Sequence, residues 1–117
     1  MATIRDLVSA IRRRDGIDAA VVLGRDGLLI DHQANDGVDA EQVAARVPSI
    51  LQYAEELSAA ASQGRLLTAV HENEGGTLLM SAMSGEAVLL VLLQPTADVG
   101  ALLFDLRRHR ANIAALV

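Results

Sequence analysis

The chain alternates short apolar runs with two long stretches of helical period. Ile4, Leu7, Val8 and Ile11 recur at the spacings of one helix face, with Thr3 placed as an N-cap and Asp6 three residues later as the acid of a capping box. The arginines of "RRRDG" suit the negative end of that helix, and Gly16 is positioned to supply its left-handed C′ residue. "DAAVVLGRDGLLIDHQA" follows, two apolar runs around a Gly-Arg-Asp-Gly turn. The second run lacks helical period, so the turn joins two antiparallel strands, either as type I′ or as a bulged variant with Gly at positive φ.

The middle of the chain, "NDGVDAEQVAARVPSILQYAEELSAAASQG", predicts a long helix capped by Asp39 and ending before Gly64. Val43, Val47, Ile50, Ala54, Leu57 and Ala61 form a narrow seam at alternating spacings of four and three, broadened by Ala44, Leu51 and Ser58. Such a helix has two packing surfaces: the seam faces either this chain's own sheet or a helix of a second copy. Pro48 has no N–H and crowds the carbonyl of Ala44, so a kink or a break is expected there.

Three strands come next, "RLLTAVHEN", "GTLLMSAMS" and "EAVLLVLLQ", joined by turns short enough for an antiparallel meander. Ala87 to Leu93 is apolar throughout, which marks a strand buried on both faces and requires helices on both sides of the sheet. The final stretch places Val99, Leu102, Leu103, Leu106, Ile113 and Leu116 on one face of a last helix capped by Thr96 or Asp98. The expected fold is an α/β (α+β) three-layer sandwich of one domain, 1–117. Its five-stranded antiparallel sheet carries the long helix on one face and the two terminal helices on the other.

Composition narrows the chemistry. At 117 residues a single domain buries about two-thirds of its unfolded surface. With one Tyr, one Phe and no Trp, that core must be aliphatic. The absence of cysteine excludes disulfides, thiolate metal sites and cysteine nucleophiles. Arg5 and Asp6 interrupt any signal-peptide core, and no stretch nears the roughly 20 apolar residues of a membrane span, so a cytoplasmic protein without membrane insertion is expected. His32, His71 and His109 lie in separate elements without metal-ligand spacing, and Ser81 and Ser84 lack a nucleophile elbow. With no lysine there is no Walker motif, and Gly24-Arg25-Asp26-Gly27 precedes a strand where a dinucleotide loop would precede a helix. Neither a catalytic constellation nor a cofactor is expected.

The net charge of −5 is unevenly spread. Residues 1–14 and 99–117 carry seven arginines against two acids, while residues 15–98 carry three arginines and thirteen acids. Arg12, Arg13, Arg14, Arg107, Arg108 and Arg110 are read first as solvated helix ends and second as a basic patch for a protein partner. The acidic total and the scarcity of aromatic platforms speak against nucleic acid.

The apolar hairpin "AAVVLGRDGLLI", the Ala-rich helix "VAARVPSILQYAEELSAA", the meander "RLLTAVHENEGGTLLMSAMSGEAVLLVLL" and the helix start "ADVGALLFDL" occur in the order and spacing of a roadblock domain, and nearly the whole chain resembles that family. Its members include dynein light chains and bacterial regulators of small Ras-like GTPases. The resemblance implies a homodimer or heterodimer, here expected as a homodimer, in which the third strand, Leu66 through Glu72, pairs with its symmetry mate and the middle helices pack antiparallel. It places Val43, Val47, Ile50, Ala54, Leu57, Leu66, Thr68 and Val70 at the interface. Gliding-type members bind a GTPase across the paired middle helices without contributing a catalytic residue, which makes Gln42, Arg46 and Tyr53 the candidate partner-binding residues. Arg46 invites an arginine-finger role, although an Arg on the charged face of a helix is ordinary. The expected function is therefore a non-enzymatic dimeric regulator or scaffold for a small Ras-like GTPase. The alternative is a structural adaptor that pairs with another roadblock-type protein. A small-molecule sensor would need a cavity, and the tight aliphatic pattern gives no sign of one.

Overall fold

The computed structural model describes residues 3–117. Its elements are α1 (Ile4–Arg12), β1 (Ile17–Gly24), β2 (Leu29–Ala34), α2 (Ala40–Ala60), β3 (Thr68–Asn73), β4 (Gly76–Ala82), β5 (Ala87–Leu93), α3 (Val99–Arg108) and α4 (Arg110–Ala114). The strands form one sheet in the order β2-β1-β5-β4-β3, antiparallel throughout, with β2 and β3 at its edges. This is the α+β fold expected from the sequence.

β5 lies at the centre and its side chains alternate between two cores. Ala87, Leu89, Val91 and Leu93 pack with Leu7, Val8 and Ile11 of α1 and Leu102 and Leu106 of α3. Val88 and Leu90 pack with Ala40, Ala44, Val47 and Leu51 of α2. The unbroken apolar run is thus two period-two patterns, one for each face. An ion pair between Arg14 and Asp105, 2.7 Å, joins the chain after α1 to α3 on the first of these faces.

The helices start where the sequence places them. Thr3, Asp39 and Asp98 each accept a hydrogen bond from the N–H three residues on, at 3.1, 3.1 and 2.9 Å, which satisfies one otherwise orphaned donor per helix. Their ends depart from expectation. α1 closes at Arg13, so the C′ position falls on Arg14, and Gly16, at φ +81°, serves the turn into β1. α2 runs unbroken through Pro48. The last helix is interrupted at His109, φ −105° and ψ 16°, although its N–H still reaches Asp105 and its carbonyl still receives Ile113. His109 is neither Gly nor Pro, so residue type does not mark this break. β3 begins at Thr68; Arg65 to Leu67 form the connection that brings the chain from α2 to the sheet edge.

The first hairpin resolves to the bulged form. Gly27 N–H donates to Gly24 O at 2.9 Å, and the register of β1 against β2 shifts between Val22 and Leu23. Arg25 and Asp26 keep negative φ, whereas Gly27 sits at +88°, which is the bulge geometry and excludes type I′. The turn also presses on α2. A Cβ at Gly27 would lie 3.2 Å from Pro48 Cγ and 3.5 Å from Ala44 O, the carbonyl that Pro48 leaves without its helical donor. Positive φ and close approach therefore both demand glycine. Gly27→Val is expected to destabilise the fold by about 2 kcal/mol or more in urea unfolding; an unchanged midpoint would contradict the packing of this turn on Pro48.

Candidate functional site

α2 turns two stripes in different directions. Ala40, Ala44, Val47 and Leu51, at spacings of four, three and four, are buried against β1, β5 and β4. Ile50, Tyr53 and Leu57 point away and are 40%, 70% and 71% exposed. The seam read from the sequence is thus divided: Val47 belongs to the chain's own core, Val43 and Ala54 are half-buried, and Ile50 and Leu57 face solvent. Tyr53, not counted in the seam, lies between its two exposed members on the outer stripe.

Beside α2 the sheet is incompletely covered. An apolar groove of about 340 Å³ runs between Val43, Val47 and Ile50 of α2 and His71, Leu78 and Met80 of β3 and β4. Gln42 and Arg46 form its polar rim, and both are exposed. The groove opens toward β3, the edge strand whose outer backbone groups have no neighbour in the sheet.

The remaining sequence candidates are placed on either side of this edge. Ala69 pairs with Met80 and His71 with Leu78, on the face that carries α2. Thr68 and Val70 pair with Ser81 and Leu79, on the opposite face, where Thr68 Oγ1 lies 3.5 Å from the Arg110 guanidinium and Val70 is 43% exposed. Leu66 precedes the strand and packs, half-buried, beside the α2 core. The structure therefore brings Gln42, Val43, Arg46, Val47 and Ile50 together around the groove. It leaves Tyr53 and Leu57 further along α2, and Thr68 and Val70 across the sheet. His71 and Leu78 line the groove; the sequence marked His71 only as an isolated histidine and did not single out Leu78. Their signal was the alternation along "TAVHEN" and "GTLLMSA", which assigns a face only once the register is known.

The terminal arginines are partly structural. Arg12 donates to the Ile17 carbonyl at 2.9 Å and to the Asn35 side chain. Arg14 binds Asp105, and Arg13, Arg107 and Arg108 remain exposed. The three histidines stay apart on β2, on β3 and at the α3–α4 break. Among the described residues no His, Cys, Asp and Glu cluster forms a metal site, and no helix is long and apolar enough to cross a membrane.

Among the described residues an antiparallel five-stranded sheet, with three helices on one face and one on the other, makes up an α+β fold with an uncovered groove beside one free edge. The chain belongs to the Roadblock/LC7 domain family, whose model matches residues 3–93, from the cap of α1 to the end of β5. Uncharacterized protein MJ1340 of Methanocaldococcus jannaschii is 32% identical over 106 residues, covering 91% of this chain and 92% of that protein. The gliding protein MglB from Thermus thermophilus superposes with a TM-score of 0.82 at 18% identity, over 96% of this chain and 86% of that one. An MglB solved with a tetrameric arrangement gives 0.83 at 19% identity, over 96% and 85%. At these identities the structural likeness is one of fold.

The Asp105 carboxyl is held below its ordinary value of 3.8, chiefly by the hydrogen bond from Arg14, against a smaller opposing effect of burial. The charges of Arg14, His109 and Arg108 add to the lowering. A carboxyl lowered in the folded state stabilises the fold above its unfolded value and loses that contribution as pH falls through the folded value. Arg14→Ala is therefore expected to return Asp105 to the ordinary carboxylate range in an NMR titration, with the stability gap to wild type closing below about pH 3.8. An Asp105 titration unmoved by the substitution would contradict the coupling.

Proposed function

We propose that this chain is a non-enzymatic dimeric regulator or scaffold that binds a small Ras-like GTPase. The observation that carries the reading is the apolar groove between α2 and β4–β3, continuous with the free β3 edge and the exposed Ile50 and Leu57. Burial of an Ile or Leu side chain is worth roughly 1.5–3 kcal/mol. A second copy laid antiparallel along α2, with its β3 edge against this one, would bury both residues and continue the sheet. Membership of the Roadblock/LC7 family and the tetrameric arrangement of the structurally similar MglB support self-association.

In the dimer the two α2 helices offer the partner a joint surface on which Gln42, Arg46 and Tyr53 are the polar and aromatic contacts. The mechanism is positioning: a surface that prefers one nucleotide state of the GTPase shifts its population by the difference in affinity for the two states. Nothing in this mechanism requires a catalytic group from the chain, and Arg46 acts as a contact residue.

In multi-angle light scattering at micromolar concentration the protein is expected at twice its 12.4 kDa chain mass, and the double variant Ile50→Asp, Leu57→Asp at the single-chain mass. A wild-type monomer would overturn the dimer. With a small Ras-like GTPase of the same organism, the GTP-loaded form is expected to bind at least about tenfold more tightly than the GDP-loaded form, with altered turnover. Equal binding of both forms with unchanged turnover would replace the regulator by the adaptor.

A further inference from the structure

A second groove lies at the end of the sandwich where three separate connections meet α4. It has a volume of about 400 Å³ and is bordered by Arg25 of the first hairpin, Arg65 after α2 and Arg110 of α4, over a floor that includes Leu66, Leu67 and Met83. We propose that it is a binding site for a small phosphate monoester with an apolar body.

Charge is the first argument. The chain carries a net charge of −5, and residues 15–98 hold three arginines among thirteen acids. Two of those three, Arg25 and Arg65, converge here, forty residues apart in sequence, and α4 brings a third. One carboxylate, Glu55, answers them, and it is taken by Arg25 Nη1 at 2.7 Å. Among the described residues Arg65 has no ion pair, and Arg110 meets only the neutral Thr68 hydroxyl at 3.5 Å. Concentrated positive charge beside low-dielectric walls attracts anions even on an acidic protein.

The second argument is the state of Arg25. Its Nε is closed to solvent and has no hydrogen-bond acceptor among the described residues, while Glu55 holds the other end of the guanidinium. Its backbone N–H is bound to the Glu86 carbonyl at 3.0 Å, so the hairpin is tied at once to α2 and to the β4–β5 turn. A guanidinium held by Glu55 has already lost much of the side-chain freedom that binding would otherwise cost. All three cations are arginines, whose planar donors match phosphate oxygens in pairs.

The floor decides the rest of the ligand. Leu67 is 46% exposed and Met83 is buried beneath the same groove. An anion with no apolar part would leave this surface in water, whereas an aryl or alkyl ester would cover it.

The test is NMR of the arginine Nε–H signals and the backbone amides, titrating phenyl phosphate at constant ionic strength. Phenyl phosphate is expected to move Arg25, Arg65 and Arg110 together and to saturate below about 1 mM. Inorganic phosphate should do the same about tenfold more weakly, and phenol should not. Arg65→Gln with Arg110→Gln should weaken binding at least about tenfold, and Arg65→Lys should fall between. Arg107→Gln with Arg108→Gln, on the exposed end of α3, should leave it unchanged. Shifts spread equally over Arg13, Arg107 and Arg108, a response to phenol equal to that of its phosphate, or no saturation by about 10 mM would each overturn the proposal.

Discussion

The central strand sets the terms for everything around it. β5 is apolar at every position from Ala87 to Leu93 and is buried on both faces, so neither face can be left to water. Five strands spaced at about 4.8 Å make a sheet roughly 20 Å across, and a helix with its side chains covers about 10 Å of it. On one face α1, α3 and α4 share the task, with Arg14 paired to Asp105. On the other, α2 works alone. It must lie over β1 and β5, where the core needs it, and β4 and β3 are then partly uncovered. The groove at Val43, Ile50, His71 and Leu78 follows from this shortage of cover.

The first hairpin holds α2 in that position. Gly27 meets the helix at Pro48, and Arg25 reaches Glu55 two turns further on. Proline in mid-helix, which looks like a fault in the sequence, sits where the neighbouring chain comes closest. The same hairpin is bound to the β4–β5 turn through Arg25 N–H, so one loop fixes the helix that lines the first groove and one wall of the second.

The order of elements, the Asp39 and Thr3 caps, the hairpin and the two-faced β5 were legible because each rests on local period or turn chemistry. Residue facing on α2 was less so. Val43, Val47, Ile50, Ala54 and Leu57 share one period, yet Val47 turns inward with Ala44 and Leu51 while Ile50 and Leu57 turn outward. An aliphatic helix with apolar residues on more than one side carries no mark of which stripe its own sheet will take. The break at His109 and the late start of β3 at Thr68 carry no Gly or Pro signature at those positions. The convergence of Arg25, Arg65 and Arg110 was invisible, since three distant arginines share a groove only once the sheet order is known.

If a second copy closes the uncovered side, the backbone of β3 must register it directly. Hydrogen exchange of the β3 amides, Thr68 to Asn73, separates those that face β4 from those that face outward. Pairing with a symmetry mate predicts that the outward amides exchange as slowly as those bonded to β4. Outward amides exchanging at the rate of unprotected chain, while their neighbours stay protected, would contradict the account.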